Sequence, residues 1–219
     1  MNTISSPSEV YQGQFGQFTI TEEDRTEVKI YRSGLFLAAL SFAMGSGLIL
    51  IVGATPLSLG LFTPLFVMFC LGLGISLVTI HIYLRPLHRL LQLFWGIGVI
   101  SAVVIGFTAE EPFPLFVYDH PLTILGIGFI FAALTGIYFK EAFCFNRLET
   151  KLLTPLVPLL LLGHLTEILS PLTEQILLGI WTGLFIIFAM RKLFQAIPPD
   201  IGDKSVFTYL KQQRSASPS

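Results

Sequence analysis

The chain has 219 residues, 53% of them hydrophobic and 12% charged, with a mean hydropathy of +0.75. Soluble domains carry about 25% charged residues, so this chain lacks the polar surface to cover a water-soluble fold, and lipid must cover it instead. A formal net charge of −1 argues against a nucleic-acid surface, which needs a concentrated basic field. The two cysteines, Cys70 and Cys144, form no CxxC pair, which argues against a disulfide framework or a structural zinc site.

Residues 1–32 read as a polar N-terminal tail without the short apolar core and small-residue cleavage site of a signal peptide. Within it, Gln12 to Phe18 is loop-like. Thr21 followed by Glu22, Glu23 and Asp24 predicts the start of a short helix running towards the first span, because a hydroxyl can cap the backbone and acids suit the positive first turn. Six apolar stretches follow, near 34–53, 59–83, 90–107, 121–139, 152–170 and 175–194, the third being the shortest. A bilayer core of ~30 Å needs about 20 helical residues. Because lipid cannot satisfy exposed backbone, such runs without strict alternation must be helices rather than barrel strands. After Phe194, Pro198-Pro199 opens a C-terminal tail over 196–219, expected to be mobile at its end. The expected fold is therefore all-α: a six-helix transmembrane domain over 33–195 between two tails.

With six spans, all 13 lysines and arginines fall on the side of the two termini. The opposite loops, near 54–58, 108–120 and 171–174, hold none, which predicts both ends in the cytoplasm or an equivalent compartment. Three short matches in order suggest a three-plus-three inverted repeat. Phe42-Ala43-Met44-Gly45-Ser46-Gly47 parallels Phe131-Ala132-Ala133-Leu134-Thr135-Gly136. Thr63-Pro64-Leu65 parallels Thr154-Pro155-Leu156, and Pro86-Leu87 before Trp95 parallels Pro171-Leu172 before Trp181. The first match aligns two small-residue stripes, Ala39, Ala43 and Gly47 against Gly128, Ala132 and Gly136, expected to let helices approach closely in lipid. A transporter-like fold would follow from such a repeat; chance matching of glycine-rich apolar helices is the plain alternative.

His164 and Glu167 are the sharpest polar feature, three residues apart towards the outer end of the fifth span and expected on one helix face. An imidazole there can bind a metal or the magnesium of a pigment, or relay protons with the carboxylate; solvation by outer headgroups is the plain alternative. No second such motif completes a di-metal set, so no metal site and no defined cofactor are assigned. His81 and His88, beside Arg85 and Arg89, are expected to face headgroup phosphate. The inner stretch Lys140-Glu141-Ala142-Phe143-Cys144-Phe145-Asn146-Arg147 mixes charges with two phenylalanines and a cysteine. Lys140, Glu141, Phe143, Cys144, Phe145 and Arg147 form a candidate docking surface for a membrane-protein partner, against the alternative of a stretch lying on the bilayer. Glu110, Glu111, Asp119, His120 and Glu174 make the opposite face acidic. No phosphate loop, nucleophile elbow, HExxH or dinucleotide fingerprint occurs, so no catalytic residue is assigned and an enzyme is the weakest class.

The run Thr135-Gly136-Ile137-Tyr138-Phe139-Lys140-Glu141-Ala142-Phe143-Cys144-Phe145, continuing to Leu159-Leu160-Leu161-Leu162-Gly163-His164, resembles an uncharacterised integral membrane family of cyanobacteria and plastids, domain of unknown function 2301. The resemblance spans roughly residues 30–195 and implies a cell inner membrane or thylakoid location, with the basic side cytoplasmic or stromal. It implies no activity and carries no catalytic residues. The expected function is a non-catalytic partner-binding or assembly protein of a photosynthetic-type membrane. The alternative is a small-solute or ion transporter with His164 and Glu167 near the pathway.

Overall fold

Thr21 begins the longest helix. Its hydroxyl accepts the Asp24 backbone N–H, and the Asp24 carboxylate accepts the Thr21 N–H in return, a reciprocal cap with three acids in the first turn. In the computed structural model, which describes residues 9–82, 84–206, 209 and 212, this helix, α1, runs unbroken over Glu22–Val52. The short N-terminal helix expected from the sequence is therefore the inner end of the first span itself. At ~1.5 Å per residue its 31 residues reach ~46 Å, so about ten residues project beyond a ~30 Å hydrocarbon core. Ahead of it, the segment read as loop-like forms an antiparallel hairpin of β1 (Val10–Gly13) and β2 (Gly16–Thr19), with Gly13 paired to Gly16.

The remaining helices are α2 (Pro56–Thr79), α3 (Arg85–Thr108), α4 (Phe113–Asp119), α5 (Ile124–Phe145, entered by a single 3-10 turn at Pro121–Thr123), α6 (Leu148–Leu165), α7 (Pro171–Leu193) and α8 (Pro198–Ile201). Six of them are long and apolar enough to cross a membrane. The third span, expected to be the shortest, has 24 residues, and the shortest is α6 with 18. Pro155 and Pro158 lie within α6, where each lacks a backbone donor, a loss that a span tolerates when neighbouring helices cover it. The outer loop near 108–120 is not wholly irregular. Its apolar centre coils into α4, bounded by Pro112 and His120.

In lipid the pairing of helices is decided by how closely backbones can approach, not by apolar area, since tails are as apolar as leucine. The tightest pairing joins α1 to α2. A Cβ at Gly34 would fall 2.7 Å from the Gly72 carbonyl oxygen, and one at Gly72 would fall 2.6 Å from the Gly34 oxygen and 2.8 Å from the Ala38 nitrogen. Ser76 then donates across the seam to the Tyr31 carbonyl at 3.0 Å. The expected stripe on α1 is thus displaced: Ala39 is buried, but Gly47 faces open space and Ala43 is only half-buried. On α5, Gly136 does admit the Leu91 side chain of α3, Ala132 is half-buried, and Gly128 meets only Ile124 of its own helix.

Besides α2, α1 packs on α7; α5 packs on α3 and α6; α6 packs on α7 and α2 on α3. Exchanging α1 with α5, α2 with α6 and α3 with α7 returns the same set of neighbours. The core between them is aromatic: Trp181, Phe185, Phe188, Tyr138 and Phe69 are each at most 2% exposed. α3 stands at the edge, with only Leu91 and Gly98 buried.

The segments 14–28 and 201–205 meet at one end of the bundle. The Gln14 N–H donates to the Asp203 carboxylate at 2.6 Å, the Phe15 N–H to the Ser205 hydroxyl at 3.1 Å, and Lys204 pairs with Asp24 at 2.7 Å. Ile201 packs with Ile20 and Val28 in a small apolar cluster. The stretch 198–205 is therefore docked rather than loose, and 196–197 joins it, the Ala196 carbonyl accepting from Arg32 and Ile197 packing on the small cluster. Residues 213–219, expected to be mobile, lie outside the described residues.

Candidate functional site

Two polar assemblies stand out, at opposite ends of the bundle. The outer one borders a cavity of ≈ 600 Å³ enclosed by the outer halves of α1, α2, α5, α6 and α7 and crossed by α4. That volume lies within the ~300–1,000 Å³ range of small-molecule sites. Its floor is a ring of touching aromatics. Trp181 lies 4.5 Å from Phe42 and 5.3 Å from Phe131, and Phe69 lies 5.7 Å from Phe131. Phe66 and Phe113, 5.2 Å apart, continue the wall towards α4. Ser46 and Thr182 share a hydrogen bond of 2.8 Å beside it. Ser41, 3% exposed, also lines the cavity, and its hydroxyl makes no hydrogen bond among the described residues.

At the mouth, His164 in the last turn of α6 meets Glu174 in the first turn of α7, with Nδ1 2.8 Å from Oε1. The Tyr118 hydroxyl of α4 donates to the other carboxylate oxygen at 3.1 Å, and its ring lies 5.0 Å from the imidazole. Burial, then the hydrogen bond to Glu174, raises the Tyr118 phenol above its ordinary range, so it stays neutral and remains a donor. Glu174 is set by the start of α7. Ser170 caps the helix and Pro171 opens it, and a first-turn carboxylate complements the positive end of the helix.

Glu167 does not take the place expected for it. α6 ends at Leu165, and Glu167 sits beyond the end in a left-handed conformation, φ 55°, exposed. The turn is closed by the Ile168 N–H donating to the Gly163 carbonyl at 3.1 Å. His164 and Glu167 thus share no helix face. The carboxylate that reaches His164 is Glu174, ten residues on and across the turn. His164 faces this cavity mouth, not the lipid. Among the described residues, no group of three or more His, Cys, Asp or Glu side chains is arranged to hold a metal.

The inner assembly is a buried charge cluster. Lys192 of α7, with no exposed surface, donates to Glu141 of α5 at 2.6 Å and to Asp200 of α8. Asp200 also receives the Arg32 guanidinium of α1, at 2.9 Å from Nε and 2.6 Å from Nη2. Arg32 further donates to the Ala196 carbonyl at 2.8 Å, and Glu141 accepts from Tyr31 at 3.1 Å and Lys140 at 2.9 Å. Phe145 offers its ring face to Lys192 at 4.2 Å. Arg147 donates to the Gln195 side chain at 2.6 Å, and Arg191 reaches Glu149 at 2.9 Å.

This geometry divides the expected docking surface. Lys140, Glu141, Phe145 and Arg147 belong to the cluster, Glu141 with no exposed surface, because α5 continues as helix to Phe145 and turns that face inward. Phe143, 83% exposed, and Cys144 face outward. The histidines at this end also differ from expectation. His88 Nε2 lies 2.6 Å from the Leu77 carbonyl, serving the open C-terminal end of α2. His81 lies 3.2 Å from Glu27, and its burial lowers the imidazole below its ordinary value.

Sequence reasoning missed Tyr118, Arg32, Lys192, Asp200 and the cavity itself. A signal existed for Glu174, since a serine-proline cap followed by a lone acid marks a helix entry. None existed for Asp200, whose partner on α1 lies 168 positions away.

The family model described as "Uncharacterized integral membrane protein (DUF2301)" matches residues 75–209. The chain belongs to this family. The matched stretch holds Tyr118, His164, Glu174, Glu141, Lys192 and Asp200, whereas Arg32 and Phe42 precede it. No curated protein and no solved structure matches the chain.

Proposed function

We propose that this member of the family is a small-solute carrier whose binding site is the outer cavity, held open on the cation-free side and closed on the other. The observation that carries the proposal is the asymmetry of the bundle: a half-open cavity of ≈ 600 Å³ on one side, and below it an aromatic floor and a buried ion-pair cluster. The exchangeable neighbour pattern of the two halves supports it, since alternating access in inverted repeats works by rocking one half against the other around a central site. Ion pairs suit a closure that must be made and remade, because their partners can be exchanged for water. By the distribution of cations, the closed end faces the cytoplasm, or the stroma in a plastid. The absence of a catalytic motif favours carriage over chemistry.

The test is flux into proteoliposomes containing the full chain. Saturable uptake that Glu174→Gln abolishes while the protein remains folded supports the carrier. Uptake no greater than in empty vesicles, for cations, anions and neutral solutes alike, removes it. A second reading, a partner-binding protein of a cyanobacterial-type or thylakoid membrane, is favoured by the outward faces of Phe143, Cys144 and Phe194, the last 82% exposed, at the inner end. Site-directed crosslinking from Cys144 to a defined neighbour, lost in Phe143→Ser, would support that reading instead.

A further inference from the structure

The chemistry of the cavity is one-sided. Its floor and wall are aromatic, lined by Phe42, Phe66, Phe69, Phe113, Phe131 and Trp181, rings whose π-electrons attract positive charge. Asp119 and Glu174 line its mouth, and among the described residues no lysine or arginine lines it anywhere. Glu174 is mostly buried, its side chain 13% exposed, and is held by donors from two other elements, Tyr118 and His164. Tyr118 and His164 line it beside Glu174, and the remaining lining is aliphatic apart from Phe62, Ser41, Ser46 and Gln175. An anion would meet carboxylates and aromatic rings with no lysine or arginine to receive it, the His164 imidazole being already engaged by Glu174. A small hydrated metal ion would have to shed its water against hydrocarbon, with too few oxygens in return. A compact neutral solute would leave the floor unused. A positive charge spread over an apolar body, by contrast, satisfies the rings and the carboxylates together.

We infer that the ligand is a lipophilic organic cation, its charge lying between the Trp181–Phe42–Phe131 floor and the Glu174 carboxylate, and its apolar groups against Phe66 and the aliphatic wall. This rests on the cavity being the binding site. The charge-free Ser41 hydroxyl supplies one further acceptor on the α1 side.

The experiment compares three probes of similar shape on the full chain in detergent micelles: tetraphenylphosphonium, tetraphenylborate, and neutral triphenylphosphine oxide. Equilibrium binding of the radiolabelled compounds is read for the wild type, Glu174→Gln and Phe66→Leu. Circular dichroism reports folding of each variant. The expected result is saturable binding of the cation about tenfold or more tighter than of the anion. Glu174→Gln should bring the cation down to the level of the neutral probe and leave the neutral probe unchanged. Phe66→Leu should weaken the cation by about threefold to tenfold. If anion or neutral probe binds as well as the cation, or Glu174→Gln weakens all three equally, the charge assignment is overturned while the cavity remains a binding site. If none of the three binds to folded protein, the inference falls, while the carrier proposal is decided by the flux measurement.

Discussion

At the scale of single residues, Glu167 and Glu174 separate a carboxylate that only occupies a turn from one that shapes a site. Glu167 holds φ 55° without the freedom of glycine, a conformation that costs a side-chain-bearing residue roughly 1–2 kcal/mol. Glu167→Gly should therefore leave cavity binding unchanged and raise stability by up to about 1 kcal/mol, since glycine's own chain entropy offsets part of the gain. Thermal unfolding in detergent, paired with the binding assay, checks both halves of that expectation. Lys192 poses the opposite case. Removing its ammonium in Lys192→Met leaves Glu141 and Asp200 buried beside each other with one partner fewer. A buried pair broken on one side costs about 3–5 kcal/mol, so Lys192→Met should unfold far earlier than the wild type. Replacing both carboxylates as well, with Glu141→Gln and Asp200→Asn, should recover part of the loss. A triple variant no better than the single one would mean that the cluster does not act through charge balance.

Among elements, the close crossing of α1 and α2 predicts which small residues cannot be enlarged. Gly72→Ala would press a methyl into the Gly34 carbonyl and the Ala38 nitrogen, neither of which is a flexible side-chain end. Overpacking of that kind costs typically about 1–3 kcal/mol, whereas Gly47→Ala, with nothing within 4 Å, should be neutral or better. Comparing the two melting curves decides whether the seam lies where the backbones touch. The contrast also marks what the amino-acid pattern could tell. Every span was legible, because a run such as Leu159 to Leu162 has only one way to satisfy its backbone in oil. Which face of a span meets which neighbour was not. Ala39, Ala43 and Gly47 repeat as regularly as Gly34 and Ala38 do, and hydropathy does not distinguish them. Phe113 to Val117 was read as loop because prolines flank a segment too short for a periodic signal. The N-terminal hairpin escaped for a similar reason, since strands of four residues, each with a glycine at the turn, leave little alternation to read.

On the scale of the whole molecule, the one-sided placement of lysine and arginine along the sequence predicts an orientation, and the chain carries its own reporter for it. Cys70 is buried and Cys144 is exposed at the basic end. A membrane-impermeant maleimide should therefore leave intact cells unlabelled, label inside-out vesicles, and lose that signal in Cys144→Ser. Labelling of intact cells at Cys144 would invert the bundle. The candidate site was half legible for reasons that also belong to this scale. His164 could be singled out from its depth in an apolar run, but its true partner could not, because a turn of unknown shape separates α6 from α7. The cavity is a property of five helix ends at once and leaves no mark on any one of them.

The embrace between the first and last segments sets an order on biosynthesis. Arg32 is made with the first helix, yet Asp200 leaves the ribosome 168 residues later. Until then the nascent protein must carry a guanidinium towards a niche whose counter-ion does not yet exist, whereas Lys192 follows its partner Glu141 off the ribosome. The contact between α1 and α8 can therefore close only once Asp200 has been made. A product terminated just short of Asp200 would possess all six spans found among the described residues and still lack the carboxylate that holds Arg32.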